Sequence, residues 1–426
     1  MNLSNYKLLL ETKDSYLLDY RILLYNFIKL ILQDKIKKKG EIVCLNKNGN
    51  INLLNFMNKK ILLAKLNTFS DVFRLTINIK NKFKISPFIT IKVVPLSYKD
   101  RENMYNSRYP VWRELKILQI VSKLSKKRVS PNLPLIYNYY ICNSCNYINP
   151  HLRNVTDKIC LLVLSEYNKY DFRTWLINLS KKANSVSELE NIWYNIIFQI
   201  VSVLYLLYKL YRLVHLDLHW GNLLVQTHSK GGYWTYRING INYYVPNLGF
   251  TIKLWDFGKS RSKHIFNQDS SININDTVDI IRFSNIYNWI NKYDKIINKS
   301  VIPNSIIELF QLFKKDENLS LNKLIYTYMR RFMHNKIGQN LNEVDKKNIQ
   351  KVDYAENFVR GEIISYRNKY ALVQDIFKFK IYIINNISNN SDITIVNYND
   401  IYKILTNISQ NKNNIINGKN NGIYII

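Results

Sequence analysis

Residues 213–225, LVHLDLHWGNLLV, hold His215, Asp217, His219 and Asn222 between two apolar runs. A plain chain reversal needs only backbone-permissive residues, and Gly221-Asn222 would supply them. Four hydrogen-bonding side chains exceed that need. The run before them, IWYNIIFQIVSVLYLLYKLYRLV at 192–214, is interrupted by Asn195, Gln199, Ser202 and Lys209, which predicts a buried core helix and no membrane span. After them, NLLVQ and FTIKLWDFG predict two short strands separated by an insertion. The polar cluster is thereby placed in the loop between a long helix and a short strand.

The remaining chain gives that unit a setting. With 426 residues, 47% of them hydrophobic, it has material for a large globular core. The spacing predicts a mostly helical extension over 1–60 and a small mixed lobe over 61–167. That lobe contains the strand-like FITIKVVPL, the amphipathic helix YPVWRELKILQIVSKLSKK and the buried strand KICLLVLSEY. A larger, mostly helical lobe follows over 168–384. Its insertion at about 227–250 reads as a hairpin turning at Asn239-Gly240, with Tyr233, Tyr236, Tyr243 and Tyr244 alternating along it. From 385 the chain becomes an Asn-rich tail with weak periodicity. The fold class expected is α+β.

A net charge of +30 favours anionic partners, including nucleotide phosphates and nucleic acid. The lysines are dispersed, however, as an AT-rich coding bias would leave them, and no motif supports nucleic-acid binding. Four cysteines in so long a chain argue for reduced thiols in an intracellular compartment, host cytoplasm or virion if the source is viral. Cys142-x-x-Cys145 with His151 and Cys160 lacks the two clear ligand pairs of a zinc site, so zinc is not expected.

Phosphoryl transfer asks for a carboxylate at the attacking hydroxyl, oxygen ligands for a metal and a lysine on the phosphates. Asp217 and Asn222 stand five apart in one loop, Asp256 precedes Phe257 and Gly258 directly after a strand, Lys92 lies in ITIKVV, and Glu114 lies on the next helix. Strand lysine, helix glutamate, H-x-D-x-x-x-x-N and D-F-G occur in the order found in protein kinases. The chain resembles the protein-kinase superfamily, and more particularly the divergent serine/threonine kinases of large DNA viruses, over about residues 60–290.

That resemblance implies a bilobal kinase-like fold and an ATP-dependent protein kinase acting on Ser/Thr hydroxyls of a protein substrate. Asp217 becomes the catalytic base, Asn222 and Asp256 the Mg2+ ligands, and Lys92 the α/β-phosphate contact paired with Glu114. Leu164 to Tyr167, including Glu166, form the adenine hinge, Phe69, Ser70 and Val72 cover the phosphates, and His215 and Gly258 shape the loop. Asp279 braces it, with Asp276 as an equal rival. The sequence departs from the pattern in the glycine-free LNTFSDVF, in Leu216 where arginine is usual, and in His219 where lysine is frequent. It also lacks A-P-E after Gly258. The D-L-H-x-G-N wording is shared with small-molecule kinases, which keeps a small-molecule phosphotransferase as an alternative. The missing glycines keep a nucleotide-binding pseudokinase as another.

Overall fold

The computed structural model describes residues 21–22, 24–26, 28–29, 57–64, 70–77, 88–142, 145, 159–182, 184–228, 233–266, 275–294, 296–333, 349–351, 363–367, 369–377, 380–385, 393–396, 402–404 and 420–426. They fall into two compact units. One comprises Met1–Thr227 with Thr251–Leu324, the other His228–Phe250 with Ile325–Ile426.

The first unit begins with a five-stranded antiparallel sheet made of β1 (Met57–Ala64), β2 (Asp71–Ile77), β3 (Phe88–Pro95), β4 (Ile136–Cys142) and β5 (Cys160–Glu166), in spatial order β1-β2-β3-β5-β4. Phe-Ile-Thr-Ile-Lys-Val-Val favours a strand because its β-branched side chains suit a pleated surface, and Ile89, Ile91 and Val93 bury one face of it. Lys92 therefore points to the other face, in register with Val72 on β2 and Val163 on β5. Helix α1 (Pro110–Lys126) starts with Pro at its first turn, where the missing N–H costs nothing, and buries Trp112, Leu115, Leu118 and Val121 together with Glu114.

The cysteine expectation is corrected here. Cys145 and Cys160 are joined as a disulfide, with Cα atoms 6.1 Å apart, so these two are not the reduced thiols the composition suggested.

The helical part of this unit is organised around α3 (Val186–Tyr211), which follows α2 (Phe172–Ser180). Ser185 caps α3 and exchanges hydrogen bonds with Glu188, a capping box, and Arg212 ends it in a left-handed conformation at φ 48°. Trp193, Ile196, Ile197, Ile200, Val201 and Leu207 are fully enclosed, and each aliphatic side chain among them is worth about 1.5–3 kcal/mol. Phe172 and Phe310 meet the Trp193 ring at 6.2 Å each. Among the described residues α3 is the one helix long and apolar enough to cross a membrane, and most of it is buried inside the protein.

Beyond α3 the chain forms β7 (Leu213–Val214), paired with β12 (Arg261–Ser262), and β8 (Leu223–Thr227), the latter lying between β6 (Tyr170–Asp171) and β11 (Phe250–Leu254). The polar interruptions of α3 have a function in this arrangement. The Gln199 side-chain oxygen accepts from Ile252 N–H and from Asn132, both at 2.8 Å, which ties the helix to β11.

In the second unit, β9 (Tyr233–Ile238) and β10 (Ile241–Pro246) form a hairpin through Asn239 at φ 50° and Gly240 at φ 81°. Two positive φ values there fit a primed turn, whose twist matches that of the strands. The mostly helical pattern expected up to 384 is not what forms after residue 348. A six-stranded sheet instead takes β13 (Ile349–Lys351), β14 (Ile363–Tyr366), β15 (Lys369–Phe377), β16 (Lys380–Asn385), β17 (Ile393–Val396) and β18 (Tyr402–Ile404). The Asn-rich tail also contains β19 (Asn420–Ile425), parallel to β9. Short Ile/Val/Tyr runs are ambiguous between helix and strand, and here neighbouring strands supply the backbone partners.

Candidate active site

The loop between β7 and β8 is built from its buried histidine outward. His215 is fully enclosed, its Nε2 lies 2.8 Å from the Trp255 carbonyl, and its ring centre lies 5.1 Å from that of Phe257. Asp279, on α4 (Val278–Phe283), accepts from the backbone N–H of His215 at 2.6 Å and of Leu216 at 2.7 Å. Asp276 instead accepts from Leu321 N–H, so the geometry separates the two rivals. Burial raises the Asp279 pKa, opposed by His215, the two N–H donors and Arg282. Leu216 takes a left-handed φ of 61°, a conformation costing roughly 1–2 kcal/mol for a residue with a Cβ. The Asp279 bonds and a hydrogen bond from Arg282 to the Leu216 carbonyl hold it there.

This bracing presents Asp217, whose side chain is one-fifth exposed. Lys259 Nζ lies 3.1 Å from its Oδ2, Arg282 Nη1 lies 3.7 Å from Oδ1, and His219 Nε2 lies 4.0 Å from Oδ2. The other nitrogen of His219 accepts from Gly221 N–H at 3.0 Å. Burial lowers the His219 pKa, against the pull of Asp217. Asn222 donates through Nδ2 to the Asp217 carbonyl at 2.9 Å, which fixes its amide and leaves Oδ1 available to a cation.

The second cluster joins β3, α1 and the D-F-G segment. Lys92 Nζ donates to Glu114 at 2.7 Å and lies 3.6 Å from Asp256 Oδ1. Burial alone would lower the Lys92 pKa, but Glu114 and then Asp256 outweigh it, so the ammonium is held charged. Burial raises the pKa of Glu114, with Lys92 opposing. Asp256 is also left-handed, at φ 61°, and Arg113 on α1 donates to the Gly258 carbonyl at 3.0 Å. Asn222 and Asp256 together offer an amide oxygen and a carboxylate. Hard oxygen donors of this kind suit Mg2+.

The expected nucleotide contacts are placed unevenly. Val72 stands in register with Lys92 and Ser70 is buried just before it, whereas Phe69 lies outside the described residues. Leu164 to Glu166 still belong to β5, so the chain leaves the sheet only at Tyr167. The Tyr167 ring sits 5.6 Å from the Arg74 guanidinium. The Glu166 side chain is already engaged, accepting from Arg21 at 2.7 and 3.0 Å and pairing with Lys253 at 2.8 Å.

Sequence reasoning missed that triad, together with Lys259, Arg113 and Arg282. Lys253 left a signal, a lysine inside the otherwise apolar, buried strand FTIKL. Arg21, Lys259 and Arg282 left none, because single exposed-looking cations carry no spacing.

The chain is similar to known proteins over much of its length. A family model described as "Haspin like kinase domain" matches residues 24–284. The chain is 24% identical over 357 residues to an uncharacterised protein of Acanthamoeba polyphaga mimivirus, covering 63% of this chain and 47% of that protein. It is 27% identical over 264 residues to "Probable serine/threonine-protein kinase 380R" of Invertebrate iridescent virus 6, covering 59% and 46%. The chain thus spans about half the length of these curated relatives. A chain of the CAK complex of Chaetomium thermophilum bound to ATP-gamma-S aligns over 51% of this chain and 49% of its own, at 18% identity and TM-score 0.31, a likeness too low to carry any argument.

Proposed function

The chain belongs to the haspin-like kinase domain family, and from that membership we propose that it transfers the γ-phosphate of ATP, with Mg2+, to serine or threonine hydroxyls of protein acceptors. The observation that carries the reading is the junction at Lys92, where one buried ammonium meets Glu114 at 2.7 Å and Asp256 at 3.6 Å. A lysine held in this way is aimed and charged for phosphate, and it links strand, helix and D-F-G segment into one constellation.

In this reading Lys92 binds the α- and β-phosphates, and backbone groups at Glu166 and Tyr167 take adenine. Asn222 Oδ1 and the Asp256 carboxylate would hold Mg2+, which neutralises phosphate charge when bound. Asp217 orients the acceptor hydroxyl and receives its proton as the new O–Pγ bond forms. The Pγ–O bond to ADP breaks in the same displacement. Support for the Ser/Thr assignment comes from the name of the iridescent-virus relative.

The test is transfer from γ-labelled ATP to a panel of proteins, small alcohols and aminoglycosides, with acid hydrolysis of the labelled proteins. Label in phosphoserine or phosphothreonine, abolished by EDTA, is the expected result. Label confined to small alcohols or aminoglycosides would replace this reading with the small-molecule one. Nucleotide binding without transfer to any acceptor would replace it with a pseudokinase.

A further inference from the structure

We propose that Lys259 is a catalytic residue that contacts the transferring γ-phosphate, an inference that rests on the phosphotransfer reading above. Charge spreads over the γ-phosphoryl oxygens as the bond to ADP breaks, and a cation that reaches them from beside the base lowers that barrier. Three side chains flank Asp217, and two of them are committed elsewhere. His219 accepts through Nδ1 from Gly221 N–H at 3.0 Å, an arrangement in which the ring carries its proton on Nε2 and no net charge. Its seat is tight, since a Cβ at Gly221 would stand 2.9 Å from the ring. Arg282 is anchored by its bond to the Leu216 carbonyl.

Lys259 combines a fixed root with a mobile tip. Its backbone closes the short turn Phe257–Lys259, held by the Ser260 N–H on the Phe257 carbonyl at 3.0 Å and by Arg113 on the Gly258 carbonyl at 3.0 Å. Its side chain is 71% exposed, with Nζ 3.1 Å from Asp217 Oδ2. An exposed ion pair of this kind is weak and exchanges readily for a more highly charged anion. When ATP enters, Lys259 moves from the Asp217 carboxylate to the γ-phosphate, which frees that carboxylate for the acceptor hydroxyl. Lys259 keeps its proton throughout, and the acceptor's proton goes to Asp217.

Lys259→Met and Lys259→Arg, compared with the wild-type chain, test this. Mg-ATP and Mg-ADP affinities are measured by calorimetry, and kcat and KM in the transfer assay. Lys259→Met is expected to lower kcat by about tenfold to a hundredfold and to reduce the preference for ATP over ADP by about tenfold, with ADP affinity unchanged. Lys259→Arg is expected to retain most of both. A Lys259→Met protein with wild-type kcat and wild-type nucleotide preference overturns the proposal. So does equal weakening of ATP and ADP, which signals a structural role. If the wild type phosphorylates no acceptor, the transfer reading fails on its own, and the ATP-over-ADP preference still decides whether Lys259 reaches the γ-phosphate.

Discussion

Asp217 owes its position to residues that bind the backbone around its carboxylate. Asp279 takes the N–H groups of His215 and Leu216, and Asn222 takes the carbonyl of Asp217 itself, so the backbone on both sides of the carboxylate is fixed. Asp217→Asn keeps size and hydrogen bonding and removes only the basic oxygen. The expected outcome is near-normal Mg-ATP binding with transfer slowed by about a hundredfold or more, read from calorimetry beside the label-transfer assay. Undiminished transfer would remove Asp217 from the role of base. Lys92→Met probes the other cluster. Methionine replaces much of the stem, and burial already raises the Glu114 pKa, so the orphaned acid can accept a proton and the fold is expected to survive. Transfer is expected to fall by at least about a hundredfold, with the circular-dichroism spectrum unchanged. A variant that turns over normally would show that another lysine meets the phosphates.

Between elements, a buried electrostatic triad joins helical residue Arg21, the end of β5 at Glu166 and Lys253 in β11. Arg21 also donates to the carbonyls of Pro131 and Leu133, at 3.0 and 2.9 Å, which fastens the turn between α1 and β4. Burial would raise the Glu166 pKa, but Arg21 and then Lys253 overcome it and hold the carboxyl down to about 2. Its contribution is present above the ordinary carboxylate value of 4.5 and is lost as pH falls through about 2. Lys253 behaves oppositely. Burial, and then Arg21, lower it from 10.5 to about 7 despite Glu166. Between those values the unfolded chain binds the proton that the folded chain lacks, so this lysine makes stability rise with pH from about 7 toward 10.5. Thermal midpoints at pH 7 and pH 9.5 are expected to rise in the wild type. In Lys253→Met that rise is expected to flatten, with no loss at pH 7, because Arg21 still neutralises Glu166. A Lys253→Met protein that keeps the full rise would place its cause elsewhere. Arg21→Ala strips both carbonyls and the carboxylate of a donor, and a loss of about 3 kcal/mol is expected in the same melts.

At the scale of the molecule, each unit is stabilised within itself. In the second, the parallel strand β19 joins the hairpin and buries Tyr424, whose ring lies 5.4 Å from Tyr236 and 5.9 Å from Trp234. Removing residues 420–426 would leave β9 as an open edge and uncover those rings. Amides of β9 that β19 now pairs, and the Asn239 N–H that donates to the Ile426 carbonyl, are expected to exchange rapidly with deuterium in the truncated protein, while the amides that pair β9 with β10 exchange as before. Unchanged protection along β9 would mean that the hairpin does not depend on its third strand.

The sequence by itself determined the parts whose signals are local. The order Lys92, Glu114, H-x-D-x-x-x-x-N and D-F-G, the long buried helix, and the Asn239-Gly240 turn all express themselves in spacings or in backbone preferences a few residues long. The tertiary structure decided what depends on contacts without spacing. Arg21 meets Glu166 across 145 positions, and Lys259 reaches Asp217 from a different turn. Cys145 is bonded to Cys160 of β5 across 15 positions. The short β-branched runs after 348 became strands because adjacent strands met their N–H and C=O groups, a condition that no single run encodes.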